Sequence, residues 1–210
     1  MSYSVKEIFK SLQGEGFHTG RVAIFCRFSG CNLWNGKEYS KSSALCKFCD
    51  TDFVGTDGIN GGKFKSADSL AQKILEEWGD GRDNRYVILT GGEPLLQVDI
   101  FLIEALHKIN FTVAIETNGT IVPPNGIDWV CVSPKGSSNI ILKEGNELKL
   151  VYPQLEIDPS IFLRWNFQYF FLQPLDDYNV KFNTKLTVDY CINNPKWRLS
   201  LQTHKYIGIP

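Results

Sequence analysis

The sequence predicts an α/β fold: a partial, TIM-like barrel of mostly parallel strands with few helices. Three observations predict it. Short apolar β-type runs recur through the chain, as expected of strands buried on both faces. Helices or loops separate them, which is the order that parallel pairing with crossovers requires. About seven strands accompany only three strongly periodic helices, too few for a closed eight-unit barrel. Polar and glycine-bearing motifs follow several of the strands. In barrels the loops after the C-terminal strand ends carry the chemistry.

Taken in order, 5–9 opens a short strand, followed by the polar turn Ser11-Leu12-Gln13-Gly14-Glu15-Gly16. Residues 22–28 form the next strand, with Val22, Ile24, Cys26 and Phe28 on one face and Ala23, Phe25 and Arg27 on the other. Ser29-Gly30 ends it and delivers the chain to Cys31. The glycine-rich stretch 51–65 reads as loop. Ser66 is positioned as the N-cap of a helix in which Ala67, Leu70, Ala71, Ile74, Leu75 and Trp78 recur at helical spacing, with Gly79 as its stop. A strand at 86–90 ends in Gly91-Gly92-Glu93-Pro94, and a second helix is expected over 96–109. Strands at 111–116, 129–132, 148–151 and 167–172 follow. Three of them end in Thr117-Asn118-Gly119, Ser133-Pro134-Lys135 and Gln173-Pro174-Leu175. A third helix over 182–192 meets Asn193-Asn194-Pro195, and 198–202 is the last strand.

With 210 residues, 43% apolar and 21% charged, the chain is expected to be one globular domain, 1–210. Its net charge of −1 gives no basic field for nucleic acid or an anionic membrane. The N-terminus lacks a secretory apolar region and no run reaches spanning length, so a cytoplasmic protein is expected. In that compartment clustered cysteines read as metal ligands. Cys26, Cys131 and Cys191 stand singly in apolar stretches and read as small buried hydrophobes.

The other three cysteines are clustered. Cys31 is followed by fourteen residues, then Cys46, two residues and Cys49. A C-x-x-C pair turns two sulfurs to one side, and Cys31 makes three ligands. A structural zinc site takes four, so an interaction module would need a further ligand such as His18. A [4Fe–4S] cluster on three cysteines leaves one iron open to a substrate or cosubstrate. Gly91-Gly92-Glu93-Pro94 brings main chain close to a ligand, or makes only a tight strand–helix loop.

The cysteine triad with Phe48 inside the C-x-x-C, followed by the strand-end Gly91-Gly92-Glu93-Pro94, resembles the radical S-adenosylmethionine (SAM) superfamily, with the first gap expanded from three residues to fourteen. Lys6-Glu7-Ile8-Phe9, Ser11 to Gly16, Arg27 to Trp34, Cys49-Asp50-Thr51, Glu116 to Gly119, Ser133-Pro134-Lys135 and Gln202 to Lys205 resemble one family within it, the 7-carboxy-7-deazaguanine synthases of queuosine biosynthesis. The resemblance spans nearly the whole chain. It implies a carbon–nitrogen lyase that contracts the ring of 6-carboxy-5,6,7,8-tetrahydropterin to 7-carboxy-7-deazaguanine with loss of ammonia. It also implies a cluster that reduces SAM, a 5′-deoxyadenosyl radical that abstracts a substrate hydrogen, SAM regeneration, and assistance by Mg2+.

Carried over by position, Cys31, Cys46 and Cys49 hold the [4Fe–4S] cluster. Phe48, Cys49, Asp50, Gly92, Glu93, Ser133, Pro134, Lys135, Gln173, Pro174, Leu175 and Asp176 meet SAM. Leu12, Gln13, Gly14, Arg27, Thr90, Glu116, His204 and Pro210 meet the substrate, and Thr51 meets magnesium. Arg27 suits the substrate carboxylate because its planar fork matches that group. Glu116 is the candidate catalytic residue and can accept N–H donors from the heterocycle. Residues 32–45 become an inserted excursion, with a short helix, that returns Cys46 to the place a three-residue loop would reach. The expected partners are a one-electron reductant such as flavodoxin or ferredoxin and a second copy in a homodimer, with no direct nucleic-acid contact and no membrane.

Each residue has a plainer reading. Arg27 is then a surface charge, Glu116 a turn cap and His204 a structural histidine, as His18 and His107 are taken to be. Trp165, Phe167, Tyr169, Phe170 and Phe171 pack the core or form a dimer face. A radical SAM activating enzyme that makes a glycyl radical on a protein partner is the alternative within the superfamily.

Overall fold

The structure, a computed structural model, describes residues 2–154 and 157–210. One mixed sheet organises it: β1 (Tyr3–Leu12), β2 (Val22–Phe28), β3 (Gly62–Phe64), β4 (Tyr86–Gly91), β5 (Thr112–Thr117), β6 (Trp129–Val132), β7 (Glu144–Tyr152), β8 (Asn166–Pro174) and β9 (Trp197–Leu199). Their spatial order is β3-β1-β2-β4-β5-β6-β7-β8-β9. From β2 onward every pairing is parallel and follows chain order, skipping only β3. The sheet ends at β3 and β9 without closing on itself, so the α/β partial barrel is the observed fold.

Strand parity builds both layers. On the outer face Ile24, Cys26 and Phe28 of β2, Val87 and Leu89 of β4, and Val113 and Ile115 of β5 are fully buried. They pack with Leu70, Ile74 and Trp78 of α1 (Ala67–Trp78) and Leu102 and Leu106 of α2 (Ile100–Lys108). Val132, Leu148, Leu150, Phe170, Leu172 and Trp197 form a second cluster, against which Tyr190 and Cys191 of α3 (Val180–Asn193) pack. The opposite parity faces the hollow of the barrel. Near the strand starts it is apolar, with Ala23, Phe25, Tyr86, Ile88, Ala114 and Trp129. Phe17 stacks on Trp129 with centroids 5.0 Å apart and lies 4.3 Å from Tyr169, and His18 meets Trp129 edge-on at 4.3 Å. These rings close that end. Toward the strand ends the same parity carries Arg27, Thr90, Glu116, Lys149 and Gln173.

Several boundaries differ from the sequence reading. β1 extends through Ser11 and Leu12, which were expected in a turn, and pairs antiparallel with β2 because 13–21 is too short for a crossover. β3 lies inside the stretch read as loop and pairs with β1. The second helix starts at Ile100 rather than 96, since Asp99 accepts from Leu102 N at 3.0 Å and fixes the N-cap there. Pro94–Leu96 forms a separate 3-10 turn capped by Glu93. The last strand starts at Trp197, and a further short helix, α4 (Thr203–Ile207), follows it. Cys26 and Cys131 are buried, whereas Cys191 is only half-buried on α3.

Candidate functional site

A cavity of about 370 Å³ opens at the C-terminal strand ends. Its volume suits a small-molecule site. One wall is the cysteine segment. Leu45 N donates to Leu33 O at 3.2 Å, closing the excursion across its base, and a 3-10 helix (Glu38–Ser43) occupies its outer part. The closure returns Cys46 to the wall that holds Cys31, so Cys31, Cys46 and Cys49 all line the cavity. Gly136, at φ +49°, lets the β6 loop approach this segment, since a Cβ there would lie 2.6 Å from Leu45 O.

Three cysteine sulfurs on one cavity wall are the donor set of an iron–sulfur cluster that leaves one iron open. Cys46 and Cys49 share a hydrogen bond. That bond, outweighing burial, brings the Cys49 thiol down to about 6 and, together with burial, pushes its partner Cys46 up, while burial raises Cys31. Of the three, only Cys49 is shifted toward the thiolate that a ligand must be. The nearby Lys135 ammonium acts in the same sense. Cys31 Sγ accepts from Leu33 N at 3.4 Å. Among the described residues no three Cys, His, Asp or Glu side chains converge as the ligands of one ion do.

The glycine pair has a structural cause. A Cβ on Gly91 would fall 2.3 Å from Phe28 O, and one on Gly92 would fall 2.1 Å from Gly30 O and 2.8 Å from Cys31 Cβ. The end of β4 therefore lies directly against the backbone that carries Cys31, and both glycines line the cavity. Glu93 does not line it. Its carboxylate is fully buried and accepts from Thr117 Oγ1 at 2.8 Å, Leu95 N at 3.0 Å and Asn118 N at 2.8 Å. Burial pushes this carboxyl up despite those donors.

The floor is charged. Lys149 of β7 is buried and pairs with Glu15 Oε2 at 2.6 Å and Glu116 Oε1 at 3.2 Å. Glu116 Oε1 also accepts from Gln13 Nε2 at 3.0 Å, while among the described residues Oε2 has only Thr90 Oγ1 at 3.5 Å. Glu15 Oε1 accepts from Gln173 at 3.0 Å and Gln202 at 2.9 Å. Burial alone would raise the Glu15 carboxyl, but the Lys149 charge and the hydrogen bonds from Lys149 and Gln202 hold it down at about 2. Burial likewise opposes the Lys149 charge, yet Glu116 and Glu15 raise its ammonium well above the ordinary lysine range. Arg27 donates from Nε to Glu7 Oε1 at 2.7 Å. Its terminal nitrogens have no partner among the described residues.

The remaining predicted residues form the rim. Leu12, Gly14, Phe48, Asp50, Thr51, Ser133, Pro174, Leu175, Asp176, His204 and Pro210 line the same cavity; Pro134, like Glu93, stands behind it. Gly14 is a glycine because a Cβ would lie 2.0 Å from the His204 ring. Thr203 closes over Gly14 O from both its N and its Oγ1 at 2.9 Å, and Ser11 Oγ holds Pro210 O at 2.8 Å. Lys205 bridges Asp50 at 3.1 Å and Asp176 at 2.5 Å, linking α4 to the cluster loop and the β8 end. Lys135 Nζ reaches Ser133 Oγ at 2.6 Å and lies 5.7 Å from the Phe48 ring centre.

Sequence reasoning missed Glu7, Glu15, Asn118, Lys149, Gln202 and Lys205, all of which line the cavity. Lys149 left a signal. It interrupts the apolar run Leu148-Lys149-Leu150-Val151, and strand alternation turns it away from Leu148 and Leu150, into the hollow. Glu15 and Gln202 lie inside two segments that carry the family resemblance, Ser11 to Gly16 and Gln202 to Lys205, but their contacts with Lys149 and with each other depend on long-range packing.

The chain matches the Radical SAM superfamily family model over residues 42–149. It is 59% identical over 210 residues to the 7-carboxy-7-deazaguanine synthase of Bordetella pertussis, with all of both chains covered. It is 32% identical to that of Haemophilus influenzae, covering 99% of this chain and 94% of the other. The fold superposes on the crystal structure of QueE from Escherichia coli with a TM-score of 0.75 and 30% identity, over 97% of this chain and 95% of that one. Full-length identity, the partial barrel and three cysteines on one wall of its cavity agree: the chain belongs to the 7-carboxy-7-deazaguanine synthase family of the radical SAM superfamily.

Proposed function

We propose that this chain converts 6-carboxy-5,6,7,8-tetrahydropterin to 7-carboxy-7-deazaguanine and ammonia. One observation carries the reading: a single cavity sets three cysteines on one wall across from a floor of Arg27, Thr90 and Glu116. Relatives that this chain matches end to end are named for that product. Cys31, Cys46 and Cys49 would hold the [4Fe–4S] cluster, and Gly92, Ser133, Lys135 and Gln173 to Asp176 would hold SAM beside it. Together these groups supply one-electron reduction and a carbon-centred radical when bound.

The protein's own residues bind, orient and shield. Arg27, with Nε held by Glu7, presents its terminal nitrogens to the pterin carboxylate. Glu116 Oε2 accepts from an N–H of the pyrimidine ring, and Gln13, Gly14 and Thr90 complete that edge. Glu93 orders the Thr117-Asn118 turn beneath SAM. His204 and Pro210 close the mouth against water. Thr51 offers its hydroxyl to Mg2+, a hard cation that keeps few protein ligands. Flavodoxin or ferredoxin supplies the electron, and the chain acts as a single 1–210 domain, paired in a homodimer and in the cytoplasm.

Anaerobic turnover tests this. Reconstituted protein with about four irons, reductant, SAM and Mg2+ should yield 7-carboxy-7-deazaguanine from the pterin. An iron-loaded protein that cleaves SAM yet leaves the pterin intact refutes it.

A further inference from the structure

We propose that Lys149 is a positioning residue for substrate binding: paired with Glu15 and Glu116, it sets Glu116 so that Oε2 alone faces the substrate. The inference rests on the pterin reading for its substrate and on geometry for the rest. Lys149 Nζ sits between two carboxylates from distant parts of the chain, at 2.6 Å from Glu15 and 3.2 Å from Glu116. With Gln13 it occupies Oε1 of Glu116. A carboxylate so held presents one acceptor in one direction, which selects the position of a ring N–H.

The ammonium is also needed electrically. Glu15 and Glu116 approach the same nitrogen. Without a cation two carboxylates would share a buried floor, and one would take up a proton or swing away. The groups facing Lys149 are Glu15 from the β1–β2 turn, Glu116 from β5, Cys131 from β6 and Glu147 on its own strand. His204 of α4 acts on Glu15. Three carboxylates converge on this one ammonium, so removing the lysine takes away their shared cation. Glu15 is itself tied to Gln173 and Gln202, so the geometry reaches Glu116 through a fixed frame.

Three variants test it: Lys149→Met, Lys149→Arg and the double variant Lys149→Met/Glu15→Gln. The readouts are KM and kcat for the pterin across pH, 5′-deoxyadenosine release without pterin, and a crystal structure of Lys149→Met. Lys149→Met should raise KM at least tenfold and shift the pH profile, while SAM cleavage without pterin stays within twofold of the parent. Lys149→Arg should retain more activity than Lys149→Met. The double variant, which leaves Glu116 with no ionised Glu15 beside it, should recover at least fivefold over Lys149→Met. Unchanged KM in Lys149→Met, or no recovery in the double variant, overturns the proposal. The crystal structure separates this from the reaction itself. If the parent does not turn over the pterin, displaced Glu116 in Lys149→Met still supports the positioning role, and an unmoved Glu116 overturns it.

Discussion

Glu93 and Glu116 stand at the ends of adjacent strands, yet the protein holds the two carboxylates in opposite ways. Glu93 is sealed off, and every donor to it is neutral: one hydroxyl and two backbone N–H groups. Glu116 is half-buried, faces the cavity and is held by a cation. Both oxygens of Glu93 are consumed in fixing the β4 and β5 turns, whereas Glu116 keeps one oxygen nearly free. The difference separates scaffold from site. A carboxylate that satisfies backbone donors stabilises the fold, while one balanced by a lysine can exchange an internal contact for a ligand.

Removing the sealed carboxylate should have the largest effect. Glu93→Ala leaves three buried donors unpaired, at about 1–3 kcal/mol each. Thermal unfolding should show a loss of about 3 kcal/mol or more, or about 6–12 °C at this chain length. A shift of under 2 °C would place Glu93 outside the scaffold.

Acid titration sharpens the contrast between paired and unpaired acids. The Glu15 carboxyl lies below its ordinary value in the fold. Its contribution is therefore complete above the unfolded value near 4.5 and is lost as pH falls toward about 2. The loss is on the order of 3 kcal/mol, and Glu15→Gln should flatten that limb of a stability–pH curve. Glu147 has the opposite sign. Burial raises its carboxyl, so its ionisation costs stability as pH rises above the unfolded value. Glu147→Gln should melt higher than the parent at pH 7 and match it at pH 4.

Glu116→Ala tests the exposed partner of the pair. Pterin turnover should fall about a hundredfold, worth about 2.7 kcal/mol, while melting moves far less than in Glu93→Ala because Lys149 keeps Glu15. Equal melting losses in the two variants would erase the distinction. The smallest effect belongs to the rim. Lys205→Ala breaks a solvent-facing bridge and should cost under about 1 kcal/mol, with a difference that shrinks at high salt.

What the sequence made legible follows the same division. Outward strand faces such as Val87, Leu89, Val113 and Ile115 were readable because each strand is buried locally against helices. The cysteines were readable because their spacing suits metal ligands, and the glycine pair because close approach permits few residue types. The antiparallel β1, the three-residue β3 and the five-residue α4 were not, since their pairing and packing come from distant segments. Glu93 illustrates a further limit. A motif places the residue at the site, but only the fold reveals that its oxygens point into the protein. Lys149 was hidden differently, in a strand whose apolar neighbours satisfied the reading of a buried run.

The most direct test of the account is the yield of 7-carboxy-7-deazaguanine per 5′-deoxyadenosine released by the reconstituted chain under anaerobic conditions. A floor that holds the pterin in place while SAM is regenerated predicts many products for each 5′-deoxyadenosine. Steady release of 5′-deoxyadenosine with no deazaguanine would contradict it.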